Sequence, residues 1–132
     1  MNFSTSDSLI AITFDPINTN IVYFGGGAGS IFKSTTGGSS GSWTYAGPGV
    51  LPTTASGPVR MLVIDSSNSQ NVYAATATGI FASSNGSLNW SQKSSGISLL
   101  HVYSICVNPN NPALVYAGTE GGLFKSTNGG VS

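Results

Sequence analysis

Three observations predict an all-β chain of three stacked sheets. The sequence falls into three superimposable segments. Each segment breaks into short apolar runs separated by Gly, Pro, Asn, Asp and Ser. No segment sustains an apolar period of 3.6, and the Gly and Pro spacing would interrupt any helix longer than a turn or two. The segments begin near Leu9, Val59 and Val102 and read LIAITFDPINTNIVYFGGGAGSIFKSTTGG, VRMLVIDSSNSQNVYAATATGIFASSNGS and VYSICVNPNNPALVYAGTEGGLFKSTNGG. In register, Asp15, Asp65 and Asn108 coincide, as do Tyr23, Tyr73 and Tyr116, with spacings of 50 and 43 residues in both sets. Phe32, Phe81 and Phe124 follow, then Ser34, Ser83 and Ser126.

In the first segment, Leu9 to Phe14 is apolar on nearly every residue, which suits an inner strand covered on both faces by neighbouring sheets. A turn leads to a second run at Ile21 to Phe24, a glycine-rich turn to a third at Ile31 to Lys33, and a fourth strand begins at Trp43, or at Trp90 in the second segment. Four short strands per 43 to 50 residues match a β-propeller blade, whereas a β-solenoid coil would be much shorter. The blades are expected at residues 9–57, 58–100 and 101–132 of one domain. The third lacks an outer strand, which residues 1–6, MNFSTS, of another copy would supply, with Phe3 replacing a missing tryptophan.

Composition narrows the partners. Charged residues make up 6% of the chain, where roughly a quarter is usual, and the formal net charge is zero. The four bases, Lys33, Arg60, Lys93 and Lys125, form no cluster, so neither nucleic acid nor an anionic membrane surface is an expected partner. No stretch approaches eighteen apolar residues, and the N-terminus lacks a basic region followed by a long apolar run, so neither a helical span nor a signal peptide is expected in this chain. Abundant Ser, Thr and Asn with little Lys and Glu is the composition of secreted or cell-envelope bacterial proteins. Any export signal of a parent protein would lie outside this chain. The single cysteine, Cys106, cannot form an internal disulfide, and its neighbours Ile105 and Val107 suggest a small buried residue.

At the turn from the third strand to the fourth, Ser83 to Trp90 reads SSNGSLNW, Ser34 to Trp43 reads STTGGSSGSW, and Ser126 to Ser132 reads STNGGVS. This pattern resembles the Asp-box, or bacterial neuraminidase (BNR), repeat family, whose motif runs Ser-x-Asp-x-Gly-x-Thr-Trp. None of the three copies has the acidic residue: Asn85 and Thr36 stand at that position, and the first copy carries two extra residues. The resemblance extends to sortilin-type receptors, xyloglucan-degrading endoglucanases and photosystem II assembly factors, which share blades and not function. It implies that Ser34, Gly37, Trp43, Ser83, Gly86, Trp90, Ser126 and Gly129 are structural: Gly permits left-handed backbone, Asn bonds local backbone, and Trp inserts between blades. It also implies that ligands bind on the face opposite the box.

That face would display Tyr45, His101 and Glu120, with Lys93 beside them and Arg60 and Tyr103 near the channel. As a carbohydrate-binding set these are Tyr45, Arg60, His101, Tyr103 and Glu120. Catalysis is not expected. A sialidase of this resemblance needs three arginines, and Arg60 stands alone. A glycosidase needs two carboxyl groups flanking one bond, whereas Asp15 and Asp65 match Asn108 at a strand end, where Asp and Asn serve backbone hydrogen bonds. His101 has no second His or Cys nearby, so no metal is expected, and no cofactor either.

Three blades cannot close a ring of the usual four to eight or so, whereas two chains give six. The expectation is therefore half of a six-bladed propeller completed by homodimerisation, with a trimer of nine blades as the alternative and a glycan as the other possible partner.

Overall fold

The computed structural model describes residues 8–46, 57–93, 95–97 and 101–132. Among them there is no helix, and so none long and apolar enough to cross a membrane. The first sheet is an antiparallel meander of β1 (Leu9–Phe14), β2 (Val22–Gly26), β3 (Ile31–Ser34) and β4 (Thr44–Tyr45). The second repeats it with β5 (Val59–Ile64), β6 (Val72–Thr76), β7 (Gly79–Ser83) and β8 (Ser91–Gln92). The third has β9 (Val102–Val107), β10 (Val115–Thr119) and β11 (Gly122–Ser126). The outer strand assigned to residues 1–6 lies outside the described residues.

The second strand begins one residue later than the sequence suggests, because Ile21 belongs to the turn: its N–H bonds to Asn18 O at 2.9 Å and its carbonyl accepts the Asp15 N–H at 2.9 Å. It also runs on through Gly25 and Gly26, which pair with Ala11 and Leu9. The fourth strands start one residue after each tryptophan and are two residues long.

Cross-strand pairs share a face, so the register sorts each blade into two sides. One side carries Tyr23 and Ala11 in the first blade and Tyr73 and Val63 in the second; it turns toward the following blade. The other carries Leu62, Ile64, Val72, Ala74 and Phe81 in the second blade, and Ile105, Val115, Ala117 and Phe124 in the third; it turns toward the preceding blade. Two apolar cores result, one in each gap. Gly25 is required in the first gap: a Cβ there would lie 2.4 Å from Val59 Cγ1.

The same register leaves two outward sides. Ile12 and Phe14, the counterparts of Leu62 and Ile64, are 68% and 58% exposed, against 4% and 7%. The expectation that every inner strand is covered on both faces therefore fails for β1, on whose outward face no blade packs among the described residues. Cys106 is likewise exposed and not buried, because it lies on the outward side of the third blade with Tyr116.

Trp90 packs into the first core and donates its indole N–H to the Ala46 carbonyl of the preceding blade at 3.2 Å. Trp43 occupies the matching place on the outward side of the first blade, 4.9 Å from Phe24, with its Nε1 buried and without a hydrogen-bond partner among the described residues. Trp90→Ala should lower stability by about 3 kcal/mol or more, in the range for emptying a large aromatic site. A urea melt checks this, and a loss below about 1 kcal/mol would contradict an inserted indole.

Candidate functional site

The three serine turns share one geometry. The Ser34, Ser83 and Ser126 hydroxyls accept N–H bonds from the residue two ahead, Thr36, Asn85 and Asn128, at 3.2, 3.3 and 3.3 Å. They also accept from the residue four ahead, Gly38, Ser87 and Gly130, at 3.0, 2.9 and 2.9 Å. Asn85 Oδ1 accepts the Asn89 N–H and Asn128 Oδ1 accepts those of Val131 and Ser132, so an amide does here what a carboxylate could do. Gly37, Gly86 and Gly129 hold φ of 69°, 66° and 69°, the left-handed region that favours glycine. Each of their N–H groups ties the turn to the loop before the second strand, at Asn20, Gln70 and Ala113.

That backbone conformation frees the glycine carbonyl for the preceding blade. Gly86 O accepts Tyr23 Oη at 3.2 Å and Lys33 Nζ at 3.0 Å, with the lysine 5.3 Å above the tyrosine ring. Gly129 O accepts Tyr73 Oη at 3.3 Å. Burial, and after it the Asp65 charge, raises the Tyr73 pKa above its ordinary value, which keeps the phenol a donor. Ala82 stands where Lys33 does, so the second clasp has one donor. At the third blade the full pair returns, with Lys125 Nζ 5.9 Å over the Tyr116 ring, and no acceptor meets either group among the described residues. At the first blade the Gly37 carbonyl has no donor among the described residues. Sequence reading missed this clasp, although the recurrence of FKS after a second-strand tyrosine in the first and third segments is its signal.

Four of the five proposed ligand residues converge. His101 N–H reaches Glu120 Oε1 at 3.2 Å, its Nδ1 lies 3.5 Å from Oε2, and the Glu120 N–H returns to His101 O at 3.0 Å. The Tyr103 ring stands edge-on to His101 at 6.5 Å and beneath the Arg60 guanidinium at 5.0 Å. Arg60 Nε is buried without a hydrogen-bond partner among the described residues. Tyr45 does not join them: it sits on the outermost strand β4, edge-on to Phe32 at 5.0 Å. The His101–Glu120 pair is about half exposed, so its ion pairing is weak.

Asp15 and Asp65 are turn residues. Asp15 Oδ1 accepts the Ile17 and Asn18 N–H groups at 2.8 and 3.1 Å and the Ser69 hydroxyl of the next blade at 2.7 Å. Asp65 takes Ser67 and Asn71, and Asn108 Oδ1 takes the Asn110 and Asn111 N–H groups. Among the described residues, no three of His, Cys, Asp and Glu converge as metal ligands would.

With this geometry in view, the likeness to solved structures is one of fold. An ancestral GH74 enzyme matches with a TM-score of 0.79 at 24% identity, over 94% of this chain and 17% of its own. YCF48 from Cyanidioschyzon merolae matches with a TM-score of 0.73 at 16% identity, over 99% of this chain and 40% of its own. The GH74 xyloglucanase from Xanthomonas campestris gives 0.55 at 14%, over 96% and 28%. No protein-family profile matches, and no curated protein does. The fold is all-β and built of propeller blades, and the chain spans well under half the length of these neighbours.

Burial works to raise the pKa of both aspartates, but the hydrogen bonds outweigh it and hold each below the ordinary value; for Asp15 these come from Ser69, Asn18 and Ile17, with the Lys33 charge adding to them. Between the lowered folded value and the ordinary 3.8, the unfolded chain binds more protons. The stabilisation is therefore complete above that ordinary value and is lost as pH falls through the folded one. The urea midpoint should drop between about pH 5 and pH 2, and drop less in Asp15→Asn/Asp65→Asn. An equal drop in the double variant would contradict this.

Proposed function

We propose that the chain is a structural and interaction module that assembles with copies of itself into a closed β-propeller, two chains giving six blades. The observation that carries this reading is the complementarity of the two outward sides. The third blade offers the donors Tyr116 and Lys125, and the first offers the Gly37 carbonyl in the turn geometry that Gly86 and Gly129 use. Gly118 stands where Gly25 admits Val59, and Leu9, 59% exposed, stands where Val59 does. Ile12, Phe14 and Leu123 are exposed apolar side chains on these same two sides. Such patches mark interaction surfaces. A head-to-tail contact of this kind closes when its rotation is a fraction of a turn. The serine turns support membership of the Asp-box group, with Asn or Thr at the acidic position. No catalytic activity belongs to this reading.

The cluster of Arg60, His101, Tyr103 and Glu120 favours a second reading, a carbohydrate-binding surface or a fragment of a xyloglucanase-type glycoside hydrolase. The likeness to GH74 enzymes supports it. Binding on a glycan array that disappears in Arg60→Ala would establish it.

Light scattering of the intact chain at micromolar concentration should return a dimer mass. Tyr116→Phe/Lys125→Ala should weaken the dimer at least about tenfold, since bonds to charged groups are worth about 1.5–3 kcal/mol each. Tyr23→Phe removes a donor inside the chain and should lower the urea midpoint instead. A monomeric intact chain would overturn self-assembly; a trimer mass would replace six blades with nine. A dimer of unchanged affinity in the double variant would remove the clasp from its interface.

A further inference from the structure

Each inner strand carries one residue more than its partner near its start. Leu9 and Ala11 pair with the consecutive Gly26 and Gly25, Val59 and Met61 with Thr76 and Ala75, and Val102 and Ser104 with Thr119 and Gly118. The extra residues of these three bulges are Ile10, Arg60 and Tyr103. A bulge turns a side chain out of the alternation of the ladder, and the fold repeats it at the same level in every blade. The residue type is not repeated. Positions that build the blade carry Asp, Asp and Asn, or three tyrosines, or three serines, whereas the bulge carries Ile, Arg and Tyr. The frame therefore presents these side chains without dictating their chemistry. Arg60 lies on the middle blade, flanked within the chain by the first and the third. With Ile10 and Met61 it lines one end of a groove of about 600 Å³ between β1 and β5, and the Tyr103 ring stacks under its guanidinium at 5.0 Å. No carboxylate meets it among the described residues. Glu120 is held by His101, while Asp15 and Asp65 serve turns just past the ends of β1 and β5. Asp7 lies outside the described residues, and residues 47–56 and 98–100 contain no acid.

We propose that Arg60 anchors a small carboxylate carried on an apolar ring, with the carboxylate on the guanidinium and the ring against Ile10 and Met61. The planar guanidinium matches a carboxylate in a bidentate fork, and the Tyr103 ring beneath it reduces competition from water. One cation selects one charge: Lys33 and Lys125 are on third strands and Lys93 follows β8, so a polyphosphate or sulfated chain would leave most of its charges unmet. Ile10 and Met61 are 48% and 37% exposed, and the body that covers them gains by burying carbon, whereas buried hydroxyls without partners cost free energy. The site shares residues with the carbohydrate reading, takes a ligand that reading does not contain, and stands without self-assembly.

The probes are cyclohexanecarboxylate, its neutral carboxamide and glucuronate, each titrated into the intact chain labelled at the Ile and Met methyl groups and read by NMR. Saturable shifts are expected at Ile10 and Met61, with a Kd on the order of 1–30 mM for the ring acid. The carboxamide, and the ring acid on Arg60→Gln, should bind at least about tenfold more weakly, because a charge-assisted pair becomes a neutral one. Glucuronate should also bind more weakly than the ring acid. If Arg60→Gln does not fold, the comparison of acid and amide decides. No shift at about 100 mM ring acid, equal binding of acid and amide, or a folded Arg60→Gln that keeps its affinity would overturn the anchor. Glucuronate binding more tightly than the ring acid would overturn the apolar body and favour the carbohydrate reading. Ring-acid binding by a chain that is silent on a glycan array removes that reading and leaves this site standing, and oligomeric mass is read separately.

Discussion

The stack depends on one recurring bond, from a second-strand tyrosine hydroxyl to the carbonyl of a left-handed glycine in the next blade. The glycine conformation is what makes that carbonyl available. A residue at φ near 66° directs its N–H back into its own blade, at Gln70, and leaves its oxygen facing the neighbour. A side chain at such a position would be strained, and a Cβ on Gly86 would come within 3.0 Å of Gln70 Oε1. The serine behind the glycine fixes the turn with two N–H bonds, so that the clasp is preformed when the blades meet. Apolar packing in each gap supplies most of the energy, and the clasp adds a directional bond that fixes which carbonyl each tyrosine meets.

A stack built this way has no internal reason to stop at three. Every blade presents a donor side and an acceptor side, and within the chain each middle surface is satisfied by a neighbour. The end surfaces keep the same chemistry. This explains why Ile12 and Phe14 are exposed while their counterparts Leu62 and Ile64 are buried, and why the Trp43 Nε1 has no acceptor while that of Trp90 has one. A buried N–H without a partner costs about 1–3 kcal/mol, which a preceding blade would recover. The cluster of Arg60, Tyr103, His101 and Glu120 arises from a different cause: the inner strands β5 and β9 run side by side, so residues at their starts converge whatever their chemistry.

Much of the fold was legible because repetition makes a short signal count three times. The aspartate turns followed from Asp15 and Asp65 sharing a register with Asn108, and the serine turns from their own recurrence. Strand limits were less legible, since Ile21 is apolar and yet spends its backbone on the turn, while Gly25 and Gly26 look like turn residues and yet extend the ladder. Cys106 and the inner strand β1 were misread for a shared reason: an apolar neighbourhood in sequence says which residues could be covered, not whether a covering surface is present. Of the candidate residues, His101, Glu120, Tyr103 and Arg60 lie near one another because all sit at blade starts or at the turn beside them. Tyr45 lies apart from them because its strand is the outermost. Tyr116 and Lys125 were visible only as alignment columns, and their role needed the partners of Tyr23 and Lys33.

The proposed assembly continues the clasp from the third blade of one chain to the first blade of another. Intermolecular nuclear Overhauser effects in a mixture of two differently isotope-labelled preparations of the intact chain test it directly. A continued clasp predicts transfer between the Tyr116 ring or Leu123 methyls of one chain and Ile12, Phe14 or Gly37 of the other. Transfer among other surfaces, or none in a sample whose relaxation is that of a monomer, would contradict it.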